Sequence, residues 1–167
     1  MNFSICFFII NVLAIALWPA LLEIWMEKDK GWGADLPKDT WYGRIIGENN
    51  AFMQWLTKTI GIPYFFGYAI SMYFFLVPVT LLLEYHFFLR DGFFLLAVYF
   101  AVLAVEDFLW FVLNPYFSSL RELLKGPHGN IWWHKRWIKI SGNSYLPASY
   151  FSSLVLVTTF LLLSHFL

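Results

Sequence analysis

Four uninterrupted apolar stretches, 3–26, 62–83, 92–114 and 146–167, divide the chain, and polar residues collect between them. Roughly 20 apolar residues at 1.5 Å each cross a hydrocarbon layer about 30 Å thick, so each stretch predicts a spanning helix. Runs such as LLAVYFAVLAV and SSLVLVTTFLLL lack the period-two alternation of a membrane barrel. The first stretch has no basic leader, is long for a signal-peptide core and ends in WPALLEIW, which is no small-residue cleavage site. It reads as a retained helix.

The segments between these stretches carry their own helix signals. In the first, Gly31, Gly33 and Pro37 break the chain, and Asn49-Asn50 then offers a cap for a short helix presenting Phe52, Met53, Trp55, Leu56 and Ile60. In the second, Ser119 and Glu122 form a capping box for a short helix that stops at Gly126-Pro127. A further amphipathic helix is predicted from Asn130 to Gly142, with Trp133, Trp137 and Ile140 on one stripe and Lys135 and Lys139 beside it. The expected fold is all-α: a single polytopic membrane domain over 1–167, a bundle of four transmembrane helices with short amphipathic interfacial helices in both connecting segments.

Within the spans, Ala16 and Ala20, Gly67 and Ser71, Ala97 and Ala101, and Ala148 and Ser152 repeat small residues at a spacing that lets helices approach closely. Such pairs support a compact bundle and are compatible with a homo-oligomer. Pro19 and Pro78 are expected to kink or open the first two helices, whereas Pro63 falls in a first turn, where proline is tolerated.

Composition fixes the class. With 60% hydrophobic, 22% aromatic and 13% charged residues, a chain of 167 residues cannot enclose its apolar side chains in one water-soluble core. The lipid bilayer is the expected partner, and a cell membrane the expected location in a prokaryote. Lys28, Lys30, Lys38, Arg44 and Lys58 lie in the first connecting segment and Arg121, Lys125, Lys135, Arg136 and Lys139 in the last, leaving Arg90 alone in the middle turn. The positive-inside rule makes the two basic segments cytoplasmic and both termini non-cytoplasmic. Trp25, Trp32, Trp55, Trp132, Trp133 and Trp137 gather at the same interface. The bases are balanced by acids or interleaved with tryptophans, a pattern unsuited to nucleic acid. Cys6 has no partner for an internal disulfide.

Against this background Glu106-Asp107 stands out, two adjacent carboxyl groups inside the third apolar stretch. A central acid disfavours insertion by roughly 2.5–3.5 kcal/mol, so it calls for a partner or a purpose. The pair lies about 12 Å from the cytoplasmic end of its helix at 1.5 Å per residue. Asp107, Trp110 and Asn114 share a stripe, and Glu106 meets Trp110 at i+4. Glu23 lies near the same boundary, and His134, Lys135 and Arg136 follow a short linker later.

Glu106 and Asp107 are therefore candidate acid/base groups or ligands of a divalent cation such as Mg²⁺, with His134 as a proton-transfer partner. Trp110, Asn114, Glu23, Lys135 and Arg136 are candidate substrate contacts, the last two for a phosphate. No P-loop, GxSxG or HExxH occurs, and His86, His128, His134 and His165 are too scattered for a histidine-rich metal site. Three readings follow. The site acts on an amphiphilic or phospholipid-like substrate, it couples proton or cation transport, or the acids are packed ion pairs in a structural or scaffolding protein.

Overall fold

The computed structural model describes residues 5–88, 91–117 and 120–166. It is mostly helical, and four of its helices are long and apolar enough to cross a membrane. The first, α1 (Ile5–Glu27), is apolar on both sides. Val12, Ala16, Ala20, Glu23, Ile24 and Glu27 form its buried stripe, and Leu13, Leu17, Trp18, Leu21 and Trp25 cover the opposite face. Two apolar faces suit a helix with protein on one side and hydrocarbon on the other. Pro19 is buried inside α1 without ending it.

The second long helix joins three pieces: α3 (Gly67–Ser71), a π-helical segment (Met72–Leu76) and α4 (Val77–Phe88). Pro78 accounts for the π segment. It supplies no N–H, and its ring would clash with the carbonyl four residues back in a regular helix. The Val77 amide instead reaches the Met72 carbonyl, and the Tyr73 carbonyl accepts the Tyr99 hydroxyl at 3.0 Å.

α5 (Gly92–Leu113) is the central helix, packed against α1, α4 and α7 (Ala148–Phe166). Asp91 caps its N-terminus by accepting from the Phe93 and Phe94 amides at 2.8 and 3.0 Å. Ala16, Ala20, Ala97 and Ala101 are all buried, so the small-residue pairs of α1 and α5 serve close helix contact. Those of the other two helices do not. Gly67 meets loop backbone, and Ser152 is exposed with its hydroxyl returned to the Ala148 carbonyl.

The connecting segments form one cap over a single end of the bundle. In the first, β1 (Ile45–Ile46) pairs antiparallel with β2 (Phe65–Phe66), and α2 (Ala51–Ile60) lies between them. Asn50 caps α2 by accepting the Met53 amide at 3.1 Å, and Gly61, at φ +86°, closes it. The second contains α6 (Leu120–Lys125), where the Lys125 ammonium holds the Glu122 carboxyl below its ordinary range. The two segments join where the Lys135 amide donates to the Gly61 carbonyl at 2.9 Å and the Asn114 side chain donates to the Lys28 carbonyl at 2.6 Å.

Three expectations change. The stretch from Asn130 to Gly142 is no helix: 131–136 has no regular secondary structure, and β3 (Trp137–Ser141) turns at Gly142-Asn143 into β4 (Ser144–Pro147). The alternation in WIKIS and the glycine at φ +48° favour a hairpin over the helical stripe. The second span begins at Gly67 rather than at 62, because Phe65-Phe66 is spent on β2, which also leaves Pro63 outside any helix. The Ser119 half of the capping box lies outside the described residues.

Gly67 is the tightest backbone contact in the cap: an added Cβ would stand 1.8 Å from the Trp41 carbonyl oxygen, whereas at Gly92 it would meet nothing within 4 Å. Gly67→Ala is expected to destabilise the protein by roughly 2–3 kcal/mol through overpacking. Gly92→Ala should leave stability unchanged or slightly raised. Thermal unfolding of both variants in detergent checks the contrast.

Candidate functional site

Glu23, Glu27, Glu106 and Asp107 come together under the cap in one layer of carboxyl groups. α1 contributes the first two because they are one turn apart on its buried stripe. α5 contributes the others, with Glu106 turned into the bundle and 2% exposed, and Asp107 rotated toward α7. The layer sits between the apolar core built on Val12, Ala16, Val98 and Val102 and two aromatic clusters beneath the cap, one around Phe66 and the other around Trp110 and Trp133.

Phenols meet these acids. Tyr73 donates to Glu23 at 2.8 Å, Tyr150 donates to Asp107 at 2.6 Å, and Tyr68 donates to Glu27, which also accepts the Gly33 amide at 2.6 Å. The π segment places Tyr73 at this depth, and Tyr150 points inward from the first turn of α7. His134 Nε2 lies 3.2 Å from the Asp107 carboxylate oxygen that receives Tyr150. Its ring is bordered by Phe111, Trp133, Trp137 and Tyr150. Glu106 is flanked by Asp107, Glu23 and Tyr73, yet its Oε1 is buried with no hydrogen-bond partner. A buried acceptor in that condition points to a missing donor.

The missing donor is not lysine or arginine. Among the described residues the ion pairs are Lys30–Asp29, Lys125–Glu122 and His134–Asp107. Lys135 is exposed and donates to the Trp132 carbonyl, while Arg136 is exposed with its stem beside Gly61.

Glu106, Asp107, Glu23 and His134 line one cavity of about 490 Å³, within the range of small-molecule sites. Its far wall is apolar, built from Phe100 and Leu103 of α5, Leu156 of α7, Leu56 of α2 and Phe74 of the π segment. Phe74 and Ile60 line the cavity and are also 44% and 40% exposed, so it opens at the flank of the bundle.

The remaining candidates fall elsewhere. Trp110 is buried in the aromatic cluster with Phe117 and Trp133, its Nε1 unpartnered, and it does not line the cavity. Asn114 is engaged by the Lys28 carbonyl and the Tyr116 amide, which makes it a tie between α5 and the cap. Among the described residues no group of three or more His, Cys, Asp or Glu side chains is arranged to hold a metal ion. Sequence reasoning missed Glu27 and the tyrosines 68, 73 and 150. The i, i+4 spacing of Glu27 from Glu23 was a usable signal.

With this geometry in view, comparison with protein-family models, curated proteins and solved structures finds no match for the chain.

Tyr73→Phe removes the hydroxyl that, among the described residues, donates to Glu23, and should destabilise the protein by about 1–3 kcal/mol, the usual consequence of stranding a buried acceptor. Tyr116→Phe, at a residue 58% exposed, should change stability by no more than about 0.5 kcal/mol. Denaturant unfolding of the two variants side by side measures the difference.

Proposed function

We propose that this chain is an integral membrane protein whose four long helices span the bilayer, with the cap on the cytoplasmic side and the Ile5 and Phe166 helix ends on the other. The orientation rests on the placement of the basic residues, ten of which belong to the two segments that build the cap. Trp25 and Trp55, 76% and 59% exposed, suit the membrane interface at that depth. α2 is the interfacial helix of this arrangement, with Phe52 and Trp55 directed outward.

Its cavity receives an amphiphile and brings the polar end to an acid–base site. The observation that carries this reading is continuity: the apolar wall of Phe100, Leu103 and Leu156 and the polar end of Glu106, Asp107 and His134 belong to one cavity. Asp107 and Tyr150 fix the position of His134, which moves a proton to or from the bound polar group, and Glu106 serves as the second acid or base. Lys135 and Arg136, exposed on the cap, meet anionic headgroups at the membrane surface for about 1 kcal/mol each rather than binding within the cavity.

Lipid profiles of membranes carrying the wild-type chain, Asp107→Asn or His134→Gln test the reading, provided that each variant is inserted and monodisperse. One lipid class should change in abundance with the wild type and in neither variant. Identical profiles, together with a proton flux in liposomes that Glu106→Gln abolishes, would replace lipid chemistry with transport.

A further inference from the structure

We infer that the polar end of the amphiphile is a protonated amine. The inference rests on the amphiphile reading and adds the class of ligand. Glu106 supplies the first reason: the residue lines the cavity, and its buried Oε1 lacks a hydrogen-bond partner among the described residues. Donor supply is the second. Tyr68, Tyr73 and Tyr150 each have one hydroxyl proton, and each already donates it to Glu27, Glu23 or Asp107. His134 is engaged with Asp107. Tyr73 and Glu23 also meet the Glu106 carboxyl, yet neither they nor the equally unpartnered Trp110 Nε1 satisfies Oε1, which is left to a ligand that brings donors of its own.

An ammonium group brings three N–H donors and the positive charge that the carboxyl layer lacks. A phosphate brings only acceptors and negative charge, and would face Glu106 and Asp107 with no lysine or arginine from the described residues to offset it. A hydroxyl satisfies one acceptor and leaves the charge unmatched. Tyr73, Tyr150 and Trp32 line the same cavity and add aromatic faces, which favour cations further.

The test uses the full chain in nanodiscs of zwitterionic lipid, titrated near neutral pH with dodecylamine, dodecanol and dodecyl phosphate. Dodecylamine should bind roughly ten- to a hundredfold more tightly than dodecanol, as expected for a charge-assisted hydrogen bond. Glu106→Gln should erase that preference while leaving dodecanol binding in place, and Leu103→Trp should weaken every probe by filling the cavity. Thermal unfolding confirms that the variants fold; if Glu106→Gln does not, wild-type binding of dodecyltrimethylammonium, which carries the charge but no N–H donor, replaces it and should be weaker than that of dodecylamine, equal binding overturning the inference. Equal binding of amine and alcohol, or an amine preference that survives the carboxamide variant, overturns the amine inference and leaves the amphiphile reading standing. If no probe binds, or if Leu103→Trp changes nothing, the amphiphile reading itself falls.

Discussion

Three buried glutamates and the half-buried Asp107, gathered without a lysine or arginine partner among the described residues, constrain everything else in this fold. Each must be met by a hydrogen-bond donor, and a helix bundle can supply donors at that depth only from side chains. The donors come from different elements: Tyr68 and Tyr73 from the second long helix, Tyr150 from α7 and His134 from the cap. Since the acids belong to α1 and α5, the layer ties the four long helices and the cap to one another. A slide of any helix by one turn, about 5.4 Å, would break at least one of these bonds.

The π segment belongs to the same arrangement. Pro78 disfavours a regular helix there, Tyr73 of the π segment donates to Glu23, and the Tyr99 hydroxyl donates to the Tyr73 carbonyl. π segments recur at functional sites because they reposition a side chain without ending the helix. Here the repositioned phenol stands at the edge of the cavity. A purely structural acid cluster would gain most by closing around all of its acceptors, yet here Glu106, which lines the cavity, keeps its buried Oε1 without a partner among the described residues. The tail of a lipid gains little by leaving hydrocarbon for an equally apolar cavity. Under the proposed reading, selectivity would therefore belong to the polar end, where the acids are.

The spans were legible because twenty-odd apolar residues in a row have few other uses, and α2 was legible because Asn50 and Gly61 mark both of its ends. The stretch after Asn130 misled because Trp133, Trp137 and Ile140 fit a helical stripe, while the competing alternation around Ile138 and Ile140 was shorter. Glu106 and Asp107 were found as charges out of place in an apolar run, Glu23 by its position near the same boundary and His134 as an imidazole a short linker later. Their tyrosine partners escaped notice because a tyrosine in an apolar run reads like a phenylalanine until its hydroxyl has a neighbour. Lys135 and Arg136 seemed suited to a phosphate beside the acids because they follow His134 in sequence, but both are exposed, and of the three only His134 reaches Asp107.

The central claim is that the acid layer and the apolar wall enclose one compartment reached from the flank of the bundle. An amphiphile with a photoreactive diazirine in its tail, activated in membranes and mapped by peptide mass spectrometry, tests it most directly. Labelling at Leu56, Leu103 and Leu156, competed by an unlabelled amphiphile, is the predicted result. Labelling confined to the outward residues Leu13, Leu17 and Leu21 of α1 would contradict it.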